Sequence, residues 1–202
     1  MKEGLLIVVS GPAGSGKGTV NQLLLKSPDY AFSVSATTRA PRPGEVDGVN
    51  YHYITREAFE ARIAAGEMLE YTQYCGNYYG TPLKEAQEVL RSGKNLILEI
   101  EVEGALNVKR LYPEAVLIML LPPSFSVQES RLRGRATETE EKILARLERT
   151  KEELMQLDGY DYVVYNYDGK SEECAEDIRA IVRAEQAATS RHPAAAVAYF
   201  QN

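Results

Sequence analysis

Four short apolar runs divide the chain, and each is bounded by polar or turn-forming residues. They cover residues 5–9, 96–100, 116–121 and 162–165. Short apolar runs rich in Val, Ile and Leu are typical of strands buried on both faces of a parallel sheet. The pattern therefore predicts four buried strands.

Helical patterns lie between or beside these runs. They predict helices over residues 19–25, from Pro82 to about Ser92, and over residues 176–188, with Thr81 as N-cap and Pro82 at the first helical position of the second helix. Strands that alternate with helices form right-handed βαβ units. We therefore predict an α/β fold with a parallel sheet flanked by helices.

Two segments break this rhythm. Residues 36–80 are rich in turn residues and tyrosines, and two prolines and a glycine exclude a helix over residues 41–44. Residues 125–155 form a charged helical stretch, in which Thr137 and Glu140 have the spacing of a capping box. We interpret both segments as insertions on one sheet-based core.

Composition and charge exclude several classes of protein and of function. The 202 residues are 44% hydrophobic and 26% charged, with a net charge of −6, which indicates a globular chain and argues against non-specific nucleic-acid binding. The apolar run before Gly11 is too short for a signal sequence or a membrane span. Two distant cysteines, Cys75 and Cys174, are expected to be free thiols. These features predict a cytoplasmic protein.

The charge is unevenly distributed along the second half of the chain. Residues 131–151 hold seven cations and four glutamates, whereas residues 152–185 hold three cations and ten acids. A local cationic strip in an acidic protein suits a small polyanionic ligand better than a nucleic-acid duplex.

A glycine-rich loop follows the first predicted strand and fits the phosphate-binding pattern GxxxxGK. Glycines let successive backbone N–H groups turn inward, and the following helix adds its N-terminal N–H groups. Lys17 is a mobile point charge for the β- and γ-phosphates. The loop predicts an ATP site made of Gly11, Pro12, Ala13, Gly14, Ser15, Gly16, Lys17, Gly18 and Thr19.

Gly18 stands where a Ser or Thr hydroxyl usually binds magnesium, and Thr19 is one step further on. We therefore expect Mg²⁺ to bind with ATP, mainly through phosphate oxygens and water. No residue is assigned as a metal ligand.

The chain resembles guanylate kinases in seven stretches over about residues 5–185. These are SGPAGSGKGT (10–19), SVSATTRAPRPGEVDGVNY (33–51), LEY (69–71), GNYYGTP (76–82), LEIEVEGA (98–105), RLRGRATETEE (131–141) and YDYVVYN (160–166). The resemblance implies a P-loop kinase core with a five-stranded parallel sheet, a mixed α/β GMP-binding insertion and a helical lid. It places the core at about 1–35, 83–125 and 155–190, the insertion at about 36–82, the lid at about 126–154 and a tail at 191–202.

The resemblance also implies the reaction: the γ-phosphoryl of ATP is transferred to GMP, or to dGMP, giving ADP and GDP in purine metabolism. Arg39 and Arg42 match arginines that grip the GMP phosphate, which suits guanidinium forks, and Tyr51 and Tyr79 match tyrosines that reach the same phosphate. From the residues alone, solvated loop arginines are the competing interpretation for Arg39 and Arg42. Without the resemblance, Tyr51 and Tyr79 are interpreted as ordinary half-buried tyrosines.

Glu70 and Glu101 match the acids that recognise guanine. Guanine presents N1–H and the N2 amino group as adjacent donors, which a carboxylate accepts together, and a buried carboxylate would reject adenine. Ser35 and Thr81 match hydroxyls that complete base recognition, although each is also a plausible turn or cap residue. Glu99 lies two positions before Glu101, on the same face of the predicted strand, where it would orient magnesium waters or the arginines.

In the lid, Arg131, Arg135 and Arg146 match arginines that close over the ATP phosphates, and Asn166 matches an asparagine near the adenine ring. Lys17, Arg42, Arg135 and Arg146 form the catalytic set, because phosphoryl transfer depends on positioning and charge. A solvent-facing basic helix surface is the competing interpretation and is favoured for Arg133 and Arg149.

Two other functions remain open at this point. One is a non-catalytic guanylate-kinase-like binding module, which the intact phosphate loop opposes. The other is a related kinase for a different nucleotide or a sugar phosphate, which Glu70 and Glu101 oppose. The expected partners are ATP and GMP, with no nucleic acid and no membrane, and the sequence leaves the choice between monomer and homo-oligomer open.

Overall fold

A computed structural model describes residues 3–134, 139–194 and 199. In chain order its strands are β1 (Leu6–Ser10), β2 (Tyr30–Phe32), β3 (Ala36–Thr37), β4 (His52–Tyr53), β5 (Met68–Tyr74), β6 (Asn77–Pro82), β7 (Asn95–Leu98), β8 (Val116–Leu121) and β9 (Tyr162–Tyr165). The helices are α1 (Lys17–Leu24), α2 (Arg56–Ala64), α3 (Leu83–Arg91), α4 (Val102–Leu111), α5 (Phe125–Gly134), α6 (Glu140–Leu154) and α7 (Ser171–Ala187). Short 3₁₀ turns cover Leu157–Gly159 and Thr189–Arg191.

The main sheet has five parallel strands in the order β2-β7-β1-β8-β9. Strand β1 is central: Ile7 is in register with Ile97 on one side and with Val116 on the other. Its alternate residues serve two hydrophobic cores, because side chains alternate across a strand. Ile7 and Val9 belong to the core with α1 and α7, and Leu6 and Val8 to the core with α3 and α4. The predicted α/β fold with a five-stranded parallel sheet is confirmed.

All four predicted strands are present, but the predicted burial is wrong for β9, which lies at the sheet edge with Val164 as its one buried residue. Strand β7 ends at Leu98, so Glu99 and Glu101 lie in the connection to α4 and not on a strand face. The fifth strand, β2, is three residues long at the sheet edge and only partly buried, so it has no apolar run to reveal it.

The expected cap of α3 is wrong by one position. Pro82 is the N-cap and also the last residue of β6, and the helix begins at Leu83. The hydroxyl of Thr81 therefore does not cap the helix, and it donates a hydrogen bond to the Glu70 carboxylate instead.

A second, mixed sheet lies within residues 36–82 and has the strand order β4-β3-β6-β5. Its β5–β6 hairpin turns at Cys75, whose φ of 49° is in the left-handed region. Helix α2 covers this sheet through Phe59, which is fully buried and stacks on Tyr78 at 5.0 Å between ring centroids. Because Phe59 is the one buried residue of α2, no apolar stripe predicts this helix.

Helices α5 and α6 account for the predicted helical stretch at 125–155. Leu132, Ile143 and Leu147 form a small core that contacts Ala13 of the glycine-rich loop. Arg135 and Thr137 lie outside the described residues. The expected capping box is wrong, because α6 has Thr139 as its N-cap and Glu140 as its first residue. Cys75 is exposed and Cys174 is buried, and both are free thiols, as predicted. Within the described part of the chain, no helix is long and apolar enough to cross a membrane.

Candidate active site

The glycine-rich loop joins the end of β1 to the start of α1, at the carboxyl edge of the main sheet. Lys17 is the first residue of α1, and its Nζ donates hydrogen bonds to the carbonyls of Gly11 and Pro12, so the ammonium lies back across the loop. Gly16 has a φ of 92°, and a Cβ there would lie 2.3 Å from Nδ2 of Asn166. Only glycine meets both constraints without strain.

Two residues predicted to contact ATP donate hydrogen bonds to this loop, one directly after β9 and one on α5. The buried Asn166 donates from Nδ2 to the Ser15 carbonyl at 2.9 Å. Arg131 donates to the carbonyls of Gly14 at 3.1 Å and Asn166 at 2.7 Å, and it pairs with Asp168. Together they line a pocket of about 310 Å³ beside the loop, here called the loop pocket. Sequence analysis did not identify Asp168, whose carboxylate pairs with the guanidinium group of Arg131.

A second cleft of about 270 Å³ lies between the two sheets and is here called the insertion cleft. It brings together nine of the predicted residues from separate parts of the chain. They are Lys17, Ser35, Arg39, Arg42, Tyr51, Glu70, Tyr79, Glu99 and Glu101, beside Glu45, Thr72, Tyr74, Gly80 and Ile100.

Arg39 of the insertion cleft is held in a fixed geometry by Glu45. Two nitrogens of Arg39 donate to the two oxygens of Glu45, at 2.9 and 3.0 Å. Glu45 also accepts from the Arg42 backbone at 2.7 Å and from the Tyr53 hydroxyl at 2.8 Å. The hydrogen bond from Arg39, followed by that from Arg42, lowers the pKa of Glu45 to about 2. Sequence analysis missed Glu45, although a carboxylate three positions after an arginine in a tight turn is a usable signal.

The insertion cleft also carries a buried carboxyl group. Glu70 is 3% exposed, and Thr81 donates to its Oε1 at 2.9 Å. Burial raises the pKa of Glu70 to about 7, against the smaller lowering effect of the Thr81 hydrogen bonds. The insertion cleft therefore contains a carboxyl group, that of Glu70, which titrates near neutral pH.

The other two acids have different surroundings. Glu101 is the N-cap residue of α4, and its side chain is 54% exposed and pairs with Arg149 at 3.1 Å. Glu99 accepts a hydrogen bond at 2.7 Å from Asn21, a buried residue of α1 that sequence analysis did not identify. Glu103 lies in the first turn of α4, where the helix dipole favours negative charge.

The lid arginines are only partly brought to the site. Arg146 is exposed on α6, outside the residues that line the insertion cleft, and Arg135 lies outside the described residues. Arg133 pairs with Glu129 and Glu140 on the surface. Arg149 differs from the expected solvent-facing residue, because it contacts Glu101 of the insertion cleft. No group of three or more His, Cys, Asp or Glu side chains suitable for a metal ion occurs in residues 3–134 and 139–194.

The glycine-rich loop lies at the carboxyl edge of a five-stranded parallel sheet, and the adjoining insertion cleft is lined by guanidinium groups. This arrangement is typical of P-loop proteins that bind two anionic ligands. Comparison with known proteins specifies the family. The guanylate kinase family model matches residues 3–185, so the chain belongs to the guanylate kinase family.

Individual relatives agree with this assignment. The chain is similar to guanylate kinase of Halalkalibacterium halodurans, with 53% identity over 94% of this chain and 93% of the relative. It is 52% identical to guanylate kinase of Streptococcus agalactiae over 91% of this chain and 88% of the relative. It also resembles the crystal structure of guanylate kinase from Anaplasma phagocytophilum, with a TM-score of 0.75, 34% identity, and 95% and 90% of the two chains covered.

Proposed function

We propose that the protein transfers the γ-phosphoryl group of ATP to GMP, giving ADP and GDP. One observation carries this proposal. A single cleft is lined by Lys17 of the phosphate loop, by Arg39 and Arg42, and by the buried Glu70. A nucleoside monophosphate carries the matching groups, a phosphate for the cations and a base with N–H donors for the carboxyl group.

ATP occupies the glycine-rich loop, with its phosphates on the backbone N–H groups and on Lys17. The hydrogen bonds from Lys17 to the carbonyls of Gly11 and Pro12 keep the ammonium at the loop until the phosphates replace those carbonyls as partners. Asn166 and Arg131 shape the loop pocket, which receives the nucleoside. Their hydrogen bonds to loop carbonyls preserve the loop conformation that binds anions.

GMP occupies the insertion cleft. Its phosphate binds Arg39 and Arg42 with the hydroxyls of Tyr51 and Tyr79, and Glu45 holds Arg39 in place for this contact. Its base binds the carboxylates of Glu70 and Glu101 with Ser35, and Thr81 supports this contact through its hydrogen bond to Oε1 of Glu70. Adenine has no adjacent N–H donors on that edge, so it would leave Oε2 of the buried Glu70 without a donor.

The transfer step needs no general base. A phosphate oxygen of GMP is already anionic and attacks the γ-phosphorus in line; the new P–O bond forms as the bond to the β-phosphate oxygen breaks, and ADP leaves. Lys17 and Arg42, joined by Arg135 and Arg146 when the lid closes, offset the charge spread over the transferred group. Closure also excludes water from the γ-phosphate.

Magnesium suits the oxygen-rich site, although Gly18 provides no hydroxyl. Glu99 lines the insertion cleft and accepts from Asn21 with Oε2, so its Oε1 would be the oxygen that orients the water ligands of Mg²⁺. When bound with ATP, the ion would neutralise part of the phosphate charge. We further propose the division into core, insertion (36–82) and lid (126–154), and a cytoplasmic location.

The testing experiment measures ADP release with MgATP and a set of acceptors: GMP, dGMP, AMP, CMP, UMP and ribose 1,5-bisphosphate. ADP release that depends on GMP supports the proposal. Release with the sugar bisphosphate or another nucleotide in preference to GMP would assign a related kinase instead. No acceptor-dependent release would assign a binding module.

A further inference from the structure

Three separate parts of the fold meet at the guanidinium group of Arg149. Arg149 lies on α6, and its Nη2 donates to Oε2 of Glu101, at the start of α4, at 3.1 Å. Its Cζ lies 4.6 Å from the ring centroid of Tyr74, on β5 of the second sheet. Its Nε donates to Glu153, one turn further along α6, at 3.0 Å. Glu101 and Tyr74 both line the insertion cleft.

The electrostatics at this junction make Arg149 the shared counter-charge of two acids. The Glu153 side chain is only 10% exposed, and its pKa is raised by burial and then by the charge of Glu101. Because Arg149 donates to both carboxylates, it offsets their mutual repulsion. Without that guanidinium, Glu101 would turn away from Glu153 and towards solvent, since its own side chain is 54% exposed.

We propose that Arg149 is a positioning residue for base recognition. It holds the Glu101 carboxylate beside Tyr74 at the rim of the insertion cleft. The position of α6 is thereby coupled to purine binding. The inference rests on the proposed function, in which Glu101 contacts guanine. The described contact of Arg149 uses Oε2 of Glu101, which leaves Oε1 to accept from the base.

The geometry requires arginine and not only a positive charge. A guanidinium donates from separate nitrogens in a fixed fork while its face lies over an aromatic ring. A lysine ammonium is a point charge that cannot keep Glu101, Glu153 and the Tyr74 ring in place together. We therefore expect Arg149→Lys to recover only part of the effect.

The experiment compares Arg149→Met and Arg149→Lys with the control Lys151→Met in the ADP-release assay. Lys151 lies on the same helix and pairs with Glu148 alone among the described ion pairs, so its removal tests the loss of one helix charge. For Arg149→Met we expect the KM for GMP to rise about fivefold and the KM for ATP to change less than about twofold. Arg149→Lys should fall between, and Lys151→Met should match the wild type.

A double-mutant cycle separates positioning from general destabilisation. In a Glu101→Gln background the carboxylate to be positioned is gone, so adding Arg149→Met should raise the KM for GMP by less than about twofold. An additive fivefold effect in that background would overturn the proposal. So would an unchanged KM for GMP in Arg149→Met, equal rises for GMP and ATP, or the same rise in Lys151→Met. Failure of the wild type to release ADP with GMP would instead overturn the proposed function.

Discussion

The buried carboxyl group of Glu70 makes stability depend on pH in a defined direction. Its pKa is about 7 in the folded protein, against an ordinary value of 4.5, because burial disfavours the charged form. The folded state therefore holds a proton that the unfolded chain has already released between these two values. The resulting stabilisation is complete below pH 4.5 and is lost as the pH rises through about 7.

The magnitude follows from the shift. A difference of about 2.5 pKa units corresponds to about 3 kcal/mol, of which about 2.5 kcal/mol is lost between pH 5 and pH 8. Glu70→Gln keeps the volume and an acceptor for the Thr81 hydroxyl but cannot ionise. The wild type should therefore lose about 2–3 kcal/mol relative to Glu70→Gln over this range.

The assay is urea denaturation of both proteins, without nucleotide, at pH 5, 6, 7 and 8. All other titrating groups are common to the two proteins, so the difference in unfolding free energy isolates Glu70. Glu88→Gln, on the exposed surface of α3, is the matched control and should keep a constant difference from the wild type. A difference for Glu70→Gln that stays constant with pH, or changes in the opposite sense, would refute the argument.

Four further outcomes are expected. Glu70→Gln should lower the ratio of kcat/KM for GMP over AMP about 10²-fold or more, and an unchanged ratio contradicts base reading by this carboxyl. Lys17→Met should lower kcat about 10³-fold with an unchanged denaturation midpoint, and near-normal turnover would contradict the phosphate role. Glu45→Gln should raise the KM for GMP about fivefold but not that for ATP, because Arg39 loses its fixed geometry; equal rises would point to a folding defect. Gly16→Ala should lower the free energy of unfolding by about 1–3 kcal/mol, because Gly16 has a left-handed backbone conformation. Gly18→Ala should not, since no atom lies within 4 Å of the added Cβ. Equal losses in the two variants would contradict the requirement for glycine at position 16.

Features that depend on neighbouring residues follow from local sequence patterns. The apolar runs predict β1, β7 and β8 because a strand buried on both faces must be apolar throughout. The run at 162–165 also forms a strand, β9, although Val164 is its one buried residue. The loop before Lys17 is equally local, since its glycines and the following helix start are consecutive in the chain. The family motifs added the residues that line the insertion cleft, which no periodicity would connect.

The contacts of each of those residues depend on how distant segments pack. Glu70 and Glu101 look alike as sequence letters, yet one is buried against Thr81 and the other is exposed and paired with Arg149 on a distant helix. The supporting roles of Asn21 and Asp168 are visible only in the folded protein, because Asn21 pairs with Glu99 and Asp168 pairs with Arg131, each far away in the chain. Burial and pairing arise from segments that are far apart in the chain, and local patterns carry no information about which segments will meet.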